Sequence, residues 1–216
     1  MPLRRNQDGA GAQLGGLDSA AVLAKLAVEA EPESLASRRL LARIYQDARR
    51  WPEAISAWRD ARALAPAEPS LMLDMGFCLE QSGDVPGAIA LGREALARTP
   101  DLPAALNFLG YLLADNGRDL PEALELIRRA VEQDPHNGAF VDSYGWALYR
   151  LGRLEEARVQ LESALELTGG DPVIHEHLGD VYRDLRLPDR AREQYRASLE
   201  ADSRNARVRN KLAQLP

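Results

Sequence analysis

The sequence predicts an all-α chain built of antiparallel helix hairpins stacked in a row. Three observations predict it. Small residues stand at Ala42, Gly76, Gly110, Gly145 and Gly179, at spacings of 34, 34, 35 and 34 residues. An alanine follows in each interval, at Ala54, Ala88, Ala123, Ala157 and Ala191, with a later small residue at Ala61, Ala95, Ala130, Ala164 and Ser198. Apolar residues make up 45% of the chain and aromatics only 6%, so helix packing rests on Leu, Ala and Val. Helices that present small residues to one another cross closely, because no side chain holds the backbones apart.

In chain order, Met1–Gly16 carries Gly9, Gly11, Gly15 and Gly16 among few large apolar residues and is expected to be disordered or loosely held. Leu17–Ala30 reads as a helix capped by Asp18 or Ser19 and ended by Pro32, with Val22, Leu23 and Leu26 as its apolar face. It matches only the second helix of a hairpin, with Ala20, Ala27 and Pro32 in register, so 17–34 is a half repeat. Five full units follow, at 35–68, 69–102, 103–137, 138–171 and 172–205. Asp142–Leu167 shows the pattern best: two amphipathic runs meet at Gly152, which takes the left-handed conformation that ends the first helix. The third unit holds one extra residue in the turn Arg118-Asp119-Leu120-Pro121, where a turn absorbs it and a helix would not. Residues 206–216 place Val208, Leu212 and Leu215 on one face, as a closing helix that covers the last unit.

The first helices carry Leu41-Ala42 with Tyr45, Leu109-Gly110, and Leu178-Gly179 with Tyr182. Together with the 34-residue period these resemble the tetratricopeptide repeat family, over nearly all of residues 17–205. The resemblance implies a right-handed superhelical solenoid that binds proteins and is not an enzyme. The succession 106–117, 141–157 and 171–185 looks like the C-terminal repeats of large bacterial tetratricopeptide proteins. Many of those are exported or are envelope lipoproteins, and some relatives hold an envelope protease with its substrates.

Charge and residue types narrow the function classes. A net charge of −6 argues against general nucleic-acid binding, and no apolar run reaches membrane-spanning length. The N-terminus lacks the apolar core of a signal peptide, so the sequence as it stands implies the cytoplasm, or the periplasm or envelope if it is the C-terminal piece of an exported protein. Cys78, the single cysteine, falls at a core position and is expected to be inert. His175 and His177 point about 200° apart on a helix, so no metal site is expected, and no cofactor either. Arg39 and Arg43 lack the companion Lys and Asn of a carboxylate clamp, since Asp74, Ala104 and Phe108 hold the other places.

The expected function is a non-enzymatic scaffold that takes peptide or protein segments in the concave groove lined by the first helices. The residue after each glycine-type position should face that groove: Arg43, Phe77, Tyr111, Trp146 and Asp180. One turn earlier stand Arg39, Leu73, Asn107, Asp142 and Glu176, and Tyr149 widens the aromatic patch. The groove is thus expected to run from basic through aromatic to acidic, for a ligand with one acidic end, an apolar centre and one basic end. The second expectation is an assembly module that self-associates, or stacks on further repeats, through the N-terminal half repeat.

Overall fold

The computed structural model describes residues 7–216, with side chains from Gly16 onward. Among the described residues there are twelve helices and no strand: α1 Gln7–Ala30, α2 Leu35–Asp47, α3 Trp51–Leu64, α4 Pro69–Gln81, α5 Val85–Arg98, α6 Pro103–Asp115, α7 Leu120–Gln133, α8 Gly138–Arg150, α9 Leu154–Thr168, α10 Pro172–Asp184, α11 Pro188–Ala201 and α12 Ala206–Ala213. They pack in consecutive antiparallel pairs, the arrangement of a tetratricopeptide solenoid. Two compact units divide them, one ending at Pro100 and the other running Asp101–Pro216. The first holds α1 to α5 and the second α6 to α12. None of the described helices is long and apolar enough to cross a membrane.

Each hairpin turns by the same device. The second residue after the first helix takes a left-handed conformation at Arg49, Gly83, Gly117, Gly152 and Arg186, with φ of 55°, 94°, 62°, 76° and 62°. The next amide then reaches back five residues to a helix carbonyl, from Arg50 to Tyr45, Asp84 to Leu79, Arg118 to Leu113, Arg153 to Leu148 and Leu187 to Tyr182, at 2.8–3.0 Å. This double closure satisfies carbonyls that the helix end leaves without partners. The extra residue of the third unit is absorbed outside that closure. Asp119 is itself left-handed, at φ 37°, and its carboxylate caps α7 by accepting from the Glu122 amide at 3.2 Å.

The hairpin interiors follow from the small residues. A Cβ on Gly110 would stand 2.5 Å from Ile127 and 2.9 Å from the Ala123 carbonyl oxygen, and one on Gly145 would stand 2.7 Å from Leu161. Opposite them, Ala54, Ala88, Ala123, Ala157 and Ala191 are fully buried. Leu109, Leu161 and Leu178 fill the space around these crossings. Cys78 is buried as well, with its Sγ 3.5 Å from Gln46 Oε1, and burial pushes the thiol pKa up to about 11.

The leading helix departs from expectation. α1 starts at Gln7, so residues 7–16, expected to be loose, are helical; Met1–Asn6 lie outside the described residues. Extending a formed helix costs about 1 kcal/mol per glycine, far less than starting one, so the glycines do not stop it. Asp18 and Ser19 are therefore interior residues and not caps; Asp18 instead accepts from Arg50 at 3.3 Å. Only Ala21 and Ala24 of α1 are buried among its described side chains.

Candidate binding surface

In the first unit, α2 carries Arg39 and Arg43 one turn apart, and α4 carries Leu73 and Phe77 in the same register. Arg43 is exposed. Arg39 is tied down, with one guanidinium nitrogen 2.5 Å from Glu68 Oε1 and 2.7 Å from Ser70 Oγ. Phe77 is 40% exposed and meets the Trp51 ring edge-on, with centroids 6.2 Å apart. Leu73 and Asp74 are half-buried. Burial pushes the Asp74 carboxyl above its ordinary range, against the pull of Arg43 and Arg39.

In the second unit the predicted residues fall into two groups. Asn107, Tyr111 and Tyr149 are half-buried. The Asn107 Oδ1 atom is buried and has no hydrogen-bond partner among the described residues. Asp142, Trp146, Glu176 and Asp180, expected to line an open groove, are instead 8%, 8%, 2% and 3% exposed. The chain itself fills their surroundings. The Trp146 indole donates to Asp115 at 3.1 Å. Its ring stacks on His177 at 4.2 Å and on Tyr149 at 5.0 Å. Asp142 Oδ1 lies 2.8 Å from His177 Nδ1. His175 turns elsewhere, to Gln194 at 2.7 Å, so the two histidines do not converge.

The acidic end is closed by α12. The Lys211 ammonium stands 2.6 Å from Glu176 and 2.5 Å from Asp180, and Arg207 donates to Glu176 at 2.8 Å. Arg183 and the Tyr195 hydroxyl donate to the remaining side of Asp180 at 3.0 and 2.7 Å. Burial works against the Glu176 carboxylate, but Lys211 and Arg207 outweigh it and hold its pKa below the ordinary value. Burial and then the Asp180 carboxylate push the Tyr195 phenol well above its ordinary range.

The residues that the sequence reading missed are His177, Tyr195, Arg207 and Lys211. A signal for two of them lay in the period. His177 meets Asp142 and Lys211 meets Glu176, each pair 35 residues apart, one repeat plus one residue. In both cases a side chain on one first helix finds its partner on the previous first helix. Chemically, Glu176 and Asp180 are already paired with cations, while the first unit offers a guanidinium and an aromatic face.

The model of the tetratricopeptide repeat family matches residues 39–103, 93–138, 109–172 and 177–215. The TPR repeat-containing protein PA4667 of Pseudomonas aeruginosa is 36% identical over 115 residues, which is 53% of this chain and 19% of that protein. The type IV pilus assembly protein PilF of the same organism is 39% identical over 66 residues, 31% of this chain and 26% of that protein. The chain thus spans a small part of the length of these relatives. Among solved structures, TTC0263, a thermophilic TPR protein of Thermus thermophilus, superposes with a TM-score of 0.73 at 23% identity, over 83% of this chain and 97% of that one.

Proposed function

The chain belongs to the tetratricopeptide repeat family, and from that premise we propose that it is a non-enzymatic scaffold that captures segments of partner proteins on its first helices. The observation that carries this reading is the pair Arg43 and Phe77, both exposed at groove positions of neighbouring first helices. An exposed guanidinium selects a carboxylate, and an exposed aromatic face selects a large apolar side chain. The segment is therefore acidic and apolar. The basic end expected from the sequence is dropped, because Glu176 and Asp180 already hold Lys211 and Arg207. The same capture would serve an adaptor for an envelope protease, with the substrate supplying the segment.

Affinity capture from the source cell with mass spectrometry identifies the partner, and calorimetry then reads the site. Phe77→Ala and Arg43→Glu should each weaken binding by about 1–3 kcal/mol and leave the helical spectrum intact. If both variants bind every captured partner as the parent does, the reading fails. Trp146→Ala should lower stability together with binding, since the indole is stacked inside the fold.

A second reading, assembly through the leading edge, is favoured by Leu23, which is 67% exposed on α1.

A further inference from the structure

We infer that α12 of one copy docks on α1 of a second copy, so that the two helices complete one hairpin between two chains. The inference rests on the reading of the leading edge as an assembly surface, and names what covers it.

The register defines the missing neighbour. Every second helix from α3 to α11 buries its opening alanine completely and keeps the small residue seven later at 0–2% exposure. α1 has the same two positions at Ala20 and Ala27, and both are only half-buried. Between them Leu23 is 67% exposed, where its counterparts Ala57, Leu91 and Leu126 are 6%, 7% and 8% exposed and Gln160 and Gln194 are half-buried. Leu40 on α2 is 53% exposed, whereas of its counterparts Ser143 and His177 are 4% exposed and Asp74 and Phe108 are half-buried, His177 lying against Asp142 of the preceding first helix. The open slot thus has two walls, α1 and α2, and both await a first helix.

At the other end α12 has the register of a first helix, and among the described residues no second helix packs on its Ala213 side. Leu212-Ala213 falls 34 residues beyond Leu178-Gly179, and Ala213 is exposed although Gly110, Gly145 and Gly179 are buried against their second helices.

Charge supports the pairing. In a hairpin the first helix begins beside the end of its second helix: a Cβ on Gly138 would meet Thr168 at 2.4 Å and Leu167 at 3.2 Å. By the same register Ala206 would lie against Ala30 and Glu31 of the other copy. That brings Arg204 and Arg209 to Glu29, Glu31 and Glu33, which lie at the end of α1 and just beyond it. Residues 203–216 hold four basic residues and no acidic one. Arg207 and Lys211 are used inside the chain and Arg209 donates to the Ser203 carbonyl at 3.4 Å, which leaves the exposed Arg204 and the remaining donors of Arg209 for the partner copy. The contact joins unlike surfaces, so each copy keeps one free edge of each kind.

Sedimentation velocity over a concentration series tests this with two surface variants. Leu23→Glu blocks the slot and Ala213→Arg blocks the tail helix; both sites are exposed, and circular dichroism checks that the fold is kept. The wild-type chain should associate as concentration rises, less so at high salt. Each variant alone should be a monomer, with association weakened at least about tenfold, or 1.4 kcal/mol. Mixed in equal amounts, the two should form a pair of twice the 23.8 kDa chain mass and stop there. If Ala213→Arg associates like the wild type while Leu23→Glu does not, the edge is an assembly surface but α12 is not its occupant, and the inference falls. If Leu23→Glu associates unchanged, or the wild type stays monomeric throughout, the inference and the assembly reading fall together.

Discussion

Lys211→Met isolates the interaction that closes the second unit. Among the described residues the lysine alone touches both Glu176 and Asp180, at 2.6 and 2.5 Å, and those side chains are 2% and 4% exposed. An exposed pair such as Arg128 with Glu125 is screened by solvent and contributes little to stability. Removing one partner of a buried pair costs about 3–5 kcal/mol, because a charge is left without compensation. Here Glu176 keeps Arg207, and Asp180 keeps Arg183 and Tyr195, which places the loss near the low end, about 3 kcal/mol. The pH dependence follows from the carboxylates. In the parent chain Glu176 titrates below its ordinary value, so the folded state binds fewer protons than the unfolded state near pH 4–5. Its contribution is complete above the unfolded pKa of about 4.3 and is lost as the pH falls through the lower folded pKa. Without the ammonium, Arg207 alone opposes the burial of Glu176, so that carboxyl titrates higher than in the parent and acid relieves the variant. Urea unfolding at neutral pH and near pH 4.5, with Arg128→Ala as the surface control, gives both numbers. A loss below about 1 kcal/mol at neutral pH, or one that does not shrink in acid, would refute the reasoning.

Other substitutions probe the hairpins. Leu109→Ala and Leu178→Ala, at sites 2% and 1% exposed, should each cost about 2–5 kcal/mol in the same assay; a loss below about 0.5 kcal/mol at both would show that the helix register is misread. Arg49→Gly and Arg186→Gly relieve side chains held at φ 55° and 62° and should each raise stability by about 0.5–1 kcal/mol. No gain at either site would mean that the left-handed turn is not the strained element. Gly110→Ala should cost about 1–3 kcal/mol, because its nearest neighbours include the Ala123 backbone, which cannot step aside; a thermal midpoint equal to that of the parent would contradict this.

The architecture was legible because it is periodic. Gly110, Gly145 and Gly179 mark crossings that tolerate no side chain, and such positions leave the same trace in every repeat. The turn at Arg118–Pro121 was legible too, since an extra residue shifts the spacing without changing the pattern. The groove was less so. Assigning Trp146 and Asp180 to an open face used the angle of each residue around its own helix, and that angle says nothing about what covers the face. Trp146 is covered by His177, and Asp180 by Lys211 from a helix eight residues long. These contacts depend on side-chain length and on the neighbouring first helix. The start of α1 was misread because glycine was weighed as a helix breaker at each position, whereas helix growth is cooperative.

The two ends of the chain differ in how firmly they are fastened, and this gives unravelling a direction. A repeat array comes apart from its ends, since an end helix has a neighbour on one side only. At the rear, α10, α11 and α12 are cross-linked through Glu176 and Asp180 to Arg207, Lys211 and Tyr195. At the front, only Ala21 and Ala24 are buried among the described side chains of α1, and its ion pair, Asp18 with Arg50, is exposed. A protease acting on transient openings therefore trims the chain from the front, and the early products form a nested series that shares one C-terminus.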